Sequence, residues 1–310
     1  MHSSLMRAQK LFEIVDLGPS ETCLITDLSD IRWLTGFSGS HAWLVARHQE
    51  LFLLTDGRYV EQARAEIESH CAVVEVIECR TLAAMQKATE TLTQGSATVQ
   101  FQDSQLTYQN FLALQAELSS TLIPCDSSIK FLRRQKDDIE IQLIGSACLI
   151  ADHALQQCVH LLSAGVTEND VRDELEYTMR KLGADGPSYD TIVASGPTNS
   201  ARPHHQPTST KIEDGHTVII DVGALVAGYH SDMTRSFVVG PMSSDQANWY
   251  EAVRAAQQAG VEACRPGVQV SEIDAACRRV LSQAGLEQYF THGTGHGVGL
   301  VIHEEPFINS

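Results

Sequence analysis

No run of basic residues longer than a pair, no apolar stretch long enough to cross a bilayer and no Cys-x-x-Cys pair occurs in this sequence. Each absence removes a class of function. Lysine and arginine total 22 against 39 aspartates and glutamates, a formal charge of −17, and no basic cluster exceeds Arg133-Arg134. Such a surface repels DNA, RNA and anionic lipid, so neither nucleic acid nor a membrane is expected as a partner. A spanning helix needs about 20 apolar residues, and the amino terminus, residues 1–10, has no apolar core followed by a small-residue cleavage site. The expected compartment is therefore the cytoplasm. The eight cysteines, Cys23, Cys71, Cys79, Cys125, Cys148, Cys158, Cys264 and Cys277, sit mostly in apolar runs. They read as reduced, buried thiols, not as a disulfide framework or a zinc knot. A Gly-x-Ser-x-Gly elbow, a His-Glu-x-x-His helix and a Walker loop are also missing, and Gly36-Phe-Ser38-Gly39-Ser40 fails the elbow spacing.

What is present is material for two soluble domains, 310 residues with 43% in the hydrophobic set. Short apolar runs at Thr22–Asp27, Ala42–Ala46, Leu51–Thr55, Ala72–Ile77 and Thr98–Gln102 alternate with helical patterns from Arg58, over Thr81–Leu92 and over Tyr108–Leu118. That alternation predicts a small α/β domain. A basic hinge, Lys130–Lys136, opens a helical run from Asp137 to about Leu162, which places a boundary at 130 and gives domains 1–130 and 131–310. The next helix is punctuated by Thr167 as N-cap, Glu168 and Asp170 in the first turn, Arg180 and Lys181 near the end, and Gly183 beyond it. Strands are expected at Asp190–Ser195, His216–Gly223 and His230–Val239, then helices over Ser244–Cys264 and Ser271–Ala284, and a last strand over Val298–Ile302. The order of two helices followed by strands thus occurs twice, a weak internal symmetry.

Three segments can carry chemistry. In the first, Val218-Ile-Ile-Asp221-Val-Gly223 precedes Gly228-Tyr-His-Ser-Asp232-Met-Thr-Arg235. A hairpin turning between Val226 and Ala227 sets Asp221 opposite Asp232, with Cβ atoms roughly 4.5–5.5 Å apart. Two carboxylates so placed suit one cation, or a pair of cations, between them. The alternative is a strand-terminal Asp221 and a solvated Asp232, although an acid after Val-Ile-Ile is costly in a core strand unless it is ligated or paired. The second segment is Thr291-His292-Gly-Thr-Gly-His296-Gly-Val-Gly-Leu-Val-Ile-His303-Glu304. Its alternate glycines disfavour a helix, so His292 and His296 are not a helical zinc pair; a loop entering a strand fits better. Imidazole joined to carboxylates suits Mn, Co, Fe or Zn. Phosphate binding is the competing use of such a loop, but this one opens no helix. The third segment, Pro203-His204-His205-Gln-Pro207, lies just before the first aspartate strand. A lone histidine there is either a surface filler or a substrate contact.

Together these segments resemble the pita-bread metallopeptidase family of creatinase, prolidase and methionine aminopeptidase, in order from about residue 22 to 307. The motifs Asp30-Ile-Arg-Trp33-Leu-Thr-Gly36-Phe-Ser-Gly-Ser40 and Leu53-Leu-Thr-Asp56-Gly-Arg58-Tyr59 resemble the accessory domain of the Xaa-Pro aminopeptidase and Xaa-Pro dipeptidase branch. The resemblance implies an α+β chain, a smaller α/β creatinase-type amino-terminal domain followed by a pita-bread catalytic domain. It implies Asp221, Asp232 and His296 as metal ligands, and His204, His292 and His303 as active-site histidines. It implies two divalent metal ions, manganese before cobalt or zinc, proline-containing peptides as substrates and a homodimer. Two further Glu ligands of that family would follow His303 by some tens of residues, whereas the sequence stops at Ser310. The expectation is therefore a catalytic domain incomplete at its C-terminus, with weak metal occupancy and impaired activity. Two rival readings go with it: an inactive pita-bread domain that binds peptides or proteins, and a metal-independent amidinohydrolase like creatinase, which the retained Asp221 and Asp232 disfavour.

Overall fold

A computed structural model describes residues 3–15, 17–18, 20–70, 72–125 and 127–309. The chain divides between Asp137 and Asp138 into two compact units.

The first unit runs α1 (Ser3–Val15), β1 (Glu21–Ile25), α2 (Leu28–Thr35), β2 (Ala42–Arg47), β3 (Glu50–Thr55), α3 (Val60–Ser69), β4 (Glu75–Glu78), α4 (Leu82–Leu92), β5 (Thr98–Phe101), α5 (Tyr108–Glu117), β6 (Thr121–Pro124) and α6 (Ser127–Arg133). One sheet holds its strands in the order β4-β3-β2-β1-β5-β6. The central β1, β2 and β3 pair antiparallel, and β4, β5 and β6 join parallel at the edges. Leu24, Val45, Leu54, Met85, Val99 and Leu114 are buried from the strands and from α4 and α5, each stabilising the unit by about 1.5–3 kcal/mol. Sequence periodicity misses α2 and β6, which are short. The signal for α2 is its cap: the Asp27 carboxylate accepts the Ser29 and Asp30 amides. Asp30 is fully buried, accepting from Arg133 Nη1 at 2.7 Å and Gln102 Nε2 at 2.5 Å. Burial pushes its carboxyl up to about 6, against the pull of the Arg133 charge.

The second unit contains α7 (Asp138–Cys158), α8 (Glu168–Lys181), β7 (Gly186–Pro187), β8 (Ile192–Ser195), the single turn α9 (Gly196–Asn199), β9 (Thr217–Val222), β10 (Ala224–Val226), β11 (Tyr229–His230), β12 (Met233–Val238), α10 (Ser244–Ala263), α11 (Val270–Gln283), β13 (Gly295–Gly297) and β14 (Glu304–Ile308). Thr167 caps α8 in a reciprocal capping box with Asp170. Its apolar face, Val171, Leu175 and Met179, packs with Ala147, Ala151 and Ala154 of α7 and with Val218, Ile220 and Val222 of β9. Because β9 alternates, burying these three residues turns Asp221 to the opposite face.

Two expectations are corrected here. Val298–Ile302 is not a strand: the chain bends there, and the strands are β13 and β14 on either side. The buried Glu304 carboxylate accepts the Val301 amide at 3.0 Å and ties the bend. Nor are all the thiols buried. The seven described cysteines are free, but Cys148 and Cys264 are exposed and Cys125 is half-buried; Cys148 lies on the outward face of α7. Cys71 lies outside the described residues.

Candidate metal centre

Strand β9 pairs with β12 so that Asp221 faces Thr234, and β10 pairs with β11 so that Val226 faces Tyr229. The turn is therefore Ala227-Gly228, not the expected Val226-Ala227. Both residues have positive φ, 48° and 82°, the type I′ geometry whose twist matches a two-residue hairpin. The register consequently sets Asp232 against Gly223, diagonal to Asp221 and not opposite it. At that crossing the strands approach so closely that a Cβ on Gly223 would lie 1.9 Å from the Ser231 carbonyl oxygen.

Despite the shift, the two carboxylates converge, because a third residue joins them. Tyr189 Oη lies 2.5 Å from Asp221 Oδ1 and 2.9 Å from Asp232 Oδ1. Burial and the two carboxylates hold its phenol above the ordinary range, so the hydroxyl keeps its proton and donates. Sequence reasoning missed Tyr189. It lies far from both aspartates in the chain, and its only sequence signal is a polar aromatic ahead of β8. Burial raises the Asp221 carboxyl, and the Asp232 charge adds to that rise. Tyr189, Thr234 and the charge of His204 oppose it.

The glycine segment reaches the same place through β11, whose His230 amide donates to the Gly299 carbonyl at 2.9 Å. His296 Nε2 lies 3.2 Å from Asp232 Oδ2. Its Nδ1 lies 2.9 Å from the Gly297 carbonyl oxygen. A carbonyl only accepts, so Nδ1 carries a proton, and Nε2 is the ring nitrogen turned towards a carboxylate oxygen. A ring nitrogen and a carboxylate oxygen at that distance are held by a proton or a cation between them. His303 packs edge-on against the His296 ring, centroids 4.4 Å apart. His204 is exposed. The side-chain contacts of His292 among the described residues are with the Gly293 carbonyl and the Phe290 ring, not with Asp221, Asp232 or His296.

Oxygen and imidazole donors with one facing pair fit a divalent cation in chemistry. Among the described residues no three His, Cys, Asp or Glu side chains gather at metal-binding distance, and the Tyr189 hydroxyl bonds both Asp221 and Asp232.

Residues 142–310 match the model of metallopeptidase family M24, and residues 7–135 match the creatinase/prolidase N-terminal domain. The chain belongs to metallopeptidase family M24. An uncharacterized peptidase, YqhT, of Bacillus subtilis is 34% identical over 302 residues, 97% of this chain and 84% of that protein. A Xaa-Pro dipeptidase of Pyrococcus furiosus is 44% identical over 184 residues, 59% of this chain and 53% of that protein. The solved structure of a Xaa-Pro dipeptidase from Bacillus anthracis superposes with a TM-score of 0.92 at 32% identity, covering 99% of this chain and 85% of that one. These likenesses put the chain in the Xaa-Pro, pita-bread branch of M24, with the α+β fold expected from sequence. The chain is thus a metallopeptidase of the Xaa-Pro aminopeptidase and dipeptidase type, and membership of M24 implies divalent metal ions. No helix among the described residues is long and apolar enough to cross a membrane.

Proposed function

We propose that this M24 chain hydrolyses the Xaa-Pro bond, at the amino terminus of peptides or in dipeptides, as a divalent-metal-dependent exopeptidase. Asp221, Asp232 and His296 are its metal ligands, and His204, His292 and His303 its active-site histidines. The observation that carries this reading is the Asp232–His296 pair, a carboxylate oxygen and an imidazole nitrogen, both able to ligate a cation, 3.2 Å apart. When bound, the metal supplies an acidified water and a Lewis acid for the scissile carbonyl.

The remaining work falls to side chains. Tyr189 donates to both carboxylates and orients them. The Gly297 carbonyl fixes the tautomer in which His296 offers Nε2. His303 stands against His296, and His204 is exposed on the loop before β9; in this reading they hold the peptide and donate N–H to its carbonyl oxygen as negative charge grows there. Manganese as the metal, a homodimer as the assembly and the cytoplasm as the compartment complete the reading, on the pattern of the branch.

The test is hydrolysis of Ala-Pro and Ala-Pro-Ala with added manganese, together with elemental metal analysis, on the full-length protein and its Asp232→Ala variant. The expected outcome is alanine release by the first, and loss of both metal and turnover in the second. Unchanged turnover in Asp232→Ala would sink the ligand assignment. Tight peptide binding without hydrolysis by a metal-loaded protein would make the chain a peptide-binding module instead.

A further inference from the structure

Six hydrogen bonds converge on the carboxylate of Glu168, the first residue of α8, which is completely buried. Its Oε1 accepts from Ser195 N at 2.8 Å, Ser195 Oγ at 2.8 Å and Asn199 Nδ2 at 3.0 Å. Its Oε2 accepts from His205 Nε2 at 2.8 Å, Thr208 N at 3.0 Å and Thr208 Oγ1 at 2.9 Å. The division is informative: one oxygen holds the chain where it leaves β8, and the other holds it where it returns. His204 lies on the stretch between these two anchorages.

The backbone supports the same arrangement. The Glu168 amide donates to the Thr210 carbonyl at 3.1 Å and the Asn169 amide to the Thr208 carbonyl at 3.1 Å. The loop is thus seated on a helix end that its capping box already holds rigid. His205 and His204 then divide their work by direction. His205 is 6% exposed and bonded to Glu168, while His204 is exposed. A buried carboxylate is costly unless every lone pair is used. Here every lone pair is used, and all of the bonds go to the loop that presents one histidine.

We propose that Glu168 is the positioning residue for His204: through Ser195, Asn199, His205 and Thr208 it fixes the loop that carries the His204 imidazole. The inference rests on the peptidase reading for the role of His204, but not for the anchorage itself.

The experiment is a double-mutant cycle of Glu168→Gln and His204→Ala, with kcat, KM and metal content measured on Ala-Pro in the manganese-loaded protein. In Glu168→Gln an amide NH2 replaces an oxygen that takes three donors, so one end of the loop is released. The kcat is expected to fall on the order of 10²-fold, the cost of misplacing a catalytic contact by about 1 Å, with KM and metal content held. In the His204→Ala background the same change is expected to cost nothing more. An equal loss in both backgrounds would overturn the proposal. Should Glu168→Gln fail to fold, Thr208→Val removes one of the three donors to Oε2, together with the acceptor of the Thr210 amide, and takes its place in the cycle, with a smaller kcat loss that again vanishes without His204. If the wild-type protein cleaves no Xaa-Pro peptide, the peptidase reading falls, and amide nitrogen relaxation over residues 196–208 decides the anchorage. Greater motion at His204 in the variant, with α8 unchanged, supports it; unchanged motion overturns it.

Discussion

His296 turns its protonated Nδ1 to the Gly297 carbonyl and sets Nε2 3.2 Å from Asp232 Oδ2, so that a ring nitrogen and a carboxylate oxygen, both able to ligate one cation, meet. His296→Ala should therefore weaken manganese binding, measured by titration calorimetry, beyond the about 10–100-fold that loss of an outer-shell partner costs. Binding within a few-fold of wild type would remove His296 from the ligand set.

Tyr189 predicts a different outcome. Its hydroxyl is the donor shared by Asp221 and Asp232, and without it two partly buried carboxylates repel each other unrelieved. Tyr189→Phe should lower the unfolding free energy of the metal-free protein by about 1–3 kcal/mol at neutral pH, the cost of removing a hydrogen bond to a charged group. Manganese should reduce that deficit, since the cation neutralises the same charges. Urea unfolding with and without the metal measures both quantities, and equal deficits in the two states would contradict the account.

Glu168 makes stability depend on pH with a defined sign. Burial opposes its ionisation, but the hydrogen bonds from His205, Asn199 and Ser195 outweigh burial and hold its carboxyl at about 2, below its ordinary 4.5. A depressed folded-state value means that the stabilisation is complete above about 4.5 and is lost as pH falls towards 2. The gap in unfolding free energy between wild type and Glu168→Gln should therefore narrow from pH 5 to pH 2, by at most about 3 kcal/mol. A gap that stays constant over that range would show that the carboxylate is not the anion described.

Much of the fold was legible because local rules write it into neighbouring residues. Thr167 and Asp170 announce the start of α8, and the structure gives a complete capping box there. The alternation of β9 turns Asp221 away from Val218, Ile220 and Val222, which the run of apolar residues before an acid already suggests. By contrast, the last segment was misplaced. Its apolar residues after Gly299 look like a strand, yet Glu304 folds them into a bend by accepting the Val301 amide.

The sequence by itself determined that this chain is built from two units and that its carboxy-terminal half bears an aspartate hairpin and a histidine-bearing glycine segment. Those are consequences of composition, of period and of residues a few positions apart. Only the tertiary structure decided the register of the aspartates, which follows from the positive φ values at Ala227 and Gly228. It alone joined Tyr189 to Asp221 and Asp232, 32 and 43 positions away, and tied Glu168 to His205 across 37. Side-chain bonds across such separations leave no periodic trace in a sequence, because the partners become neighbours only after strands and helices have packed.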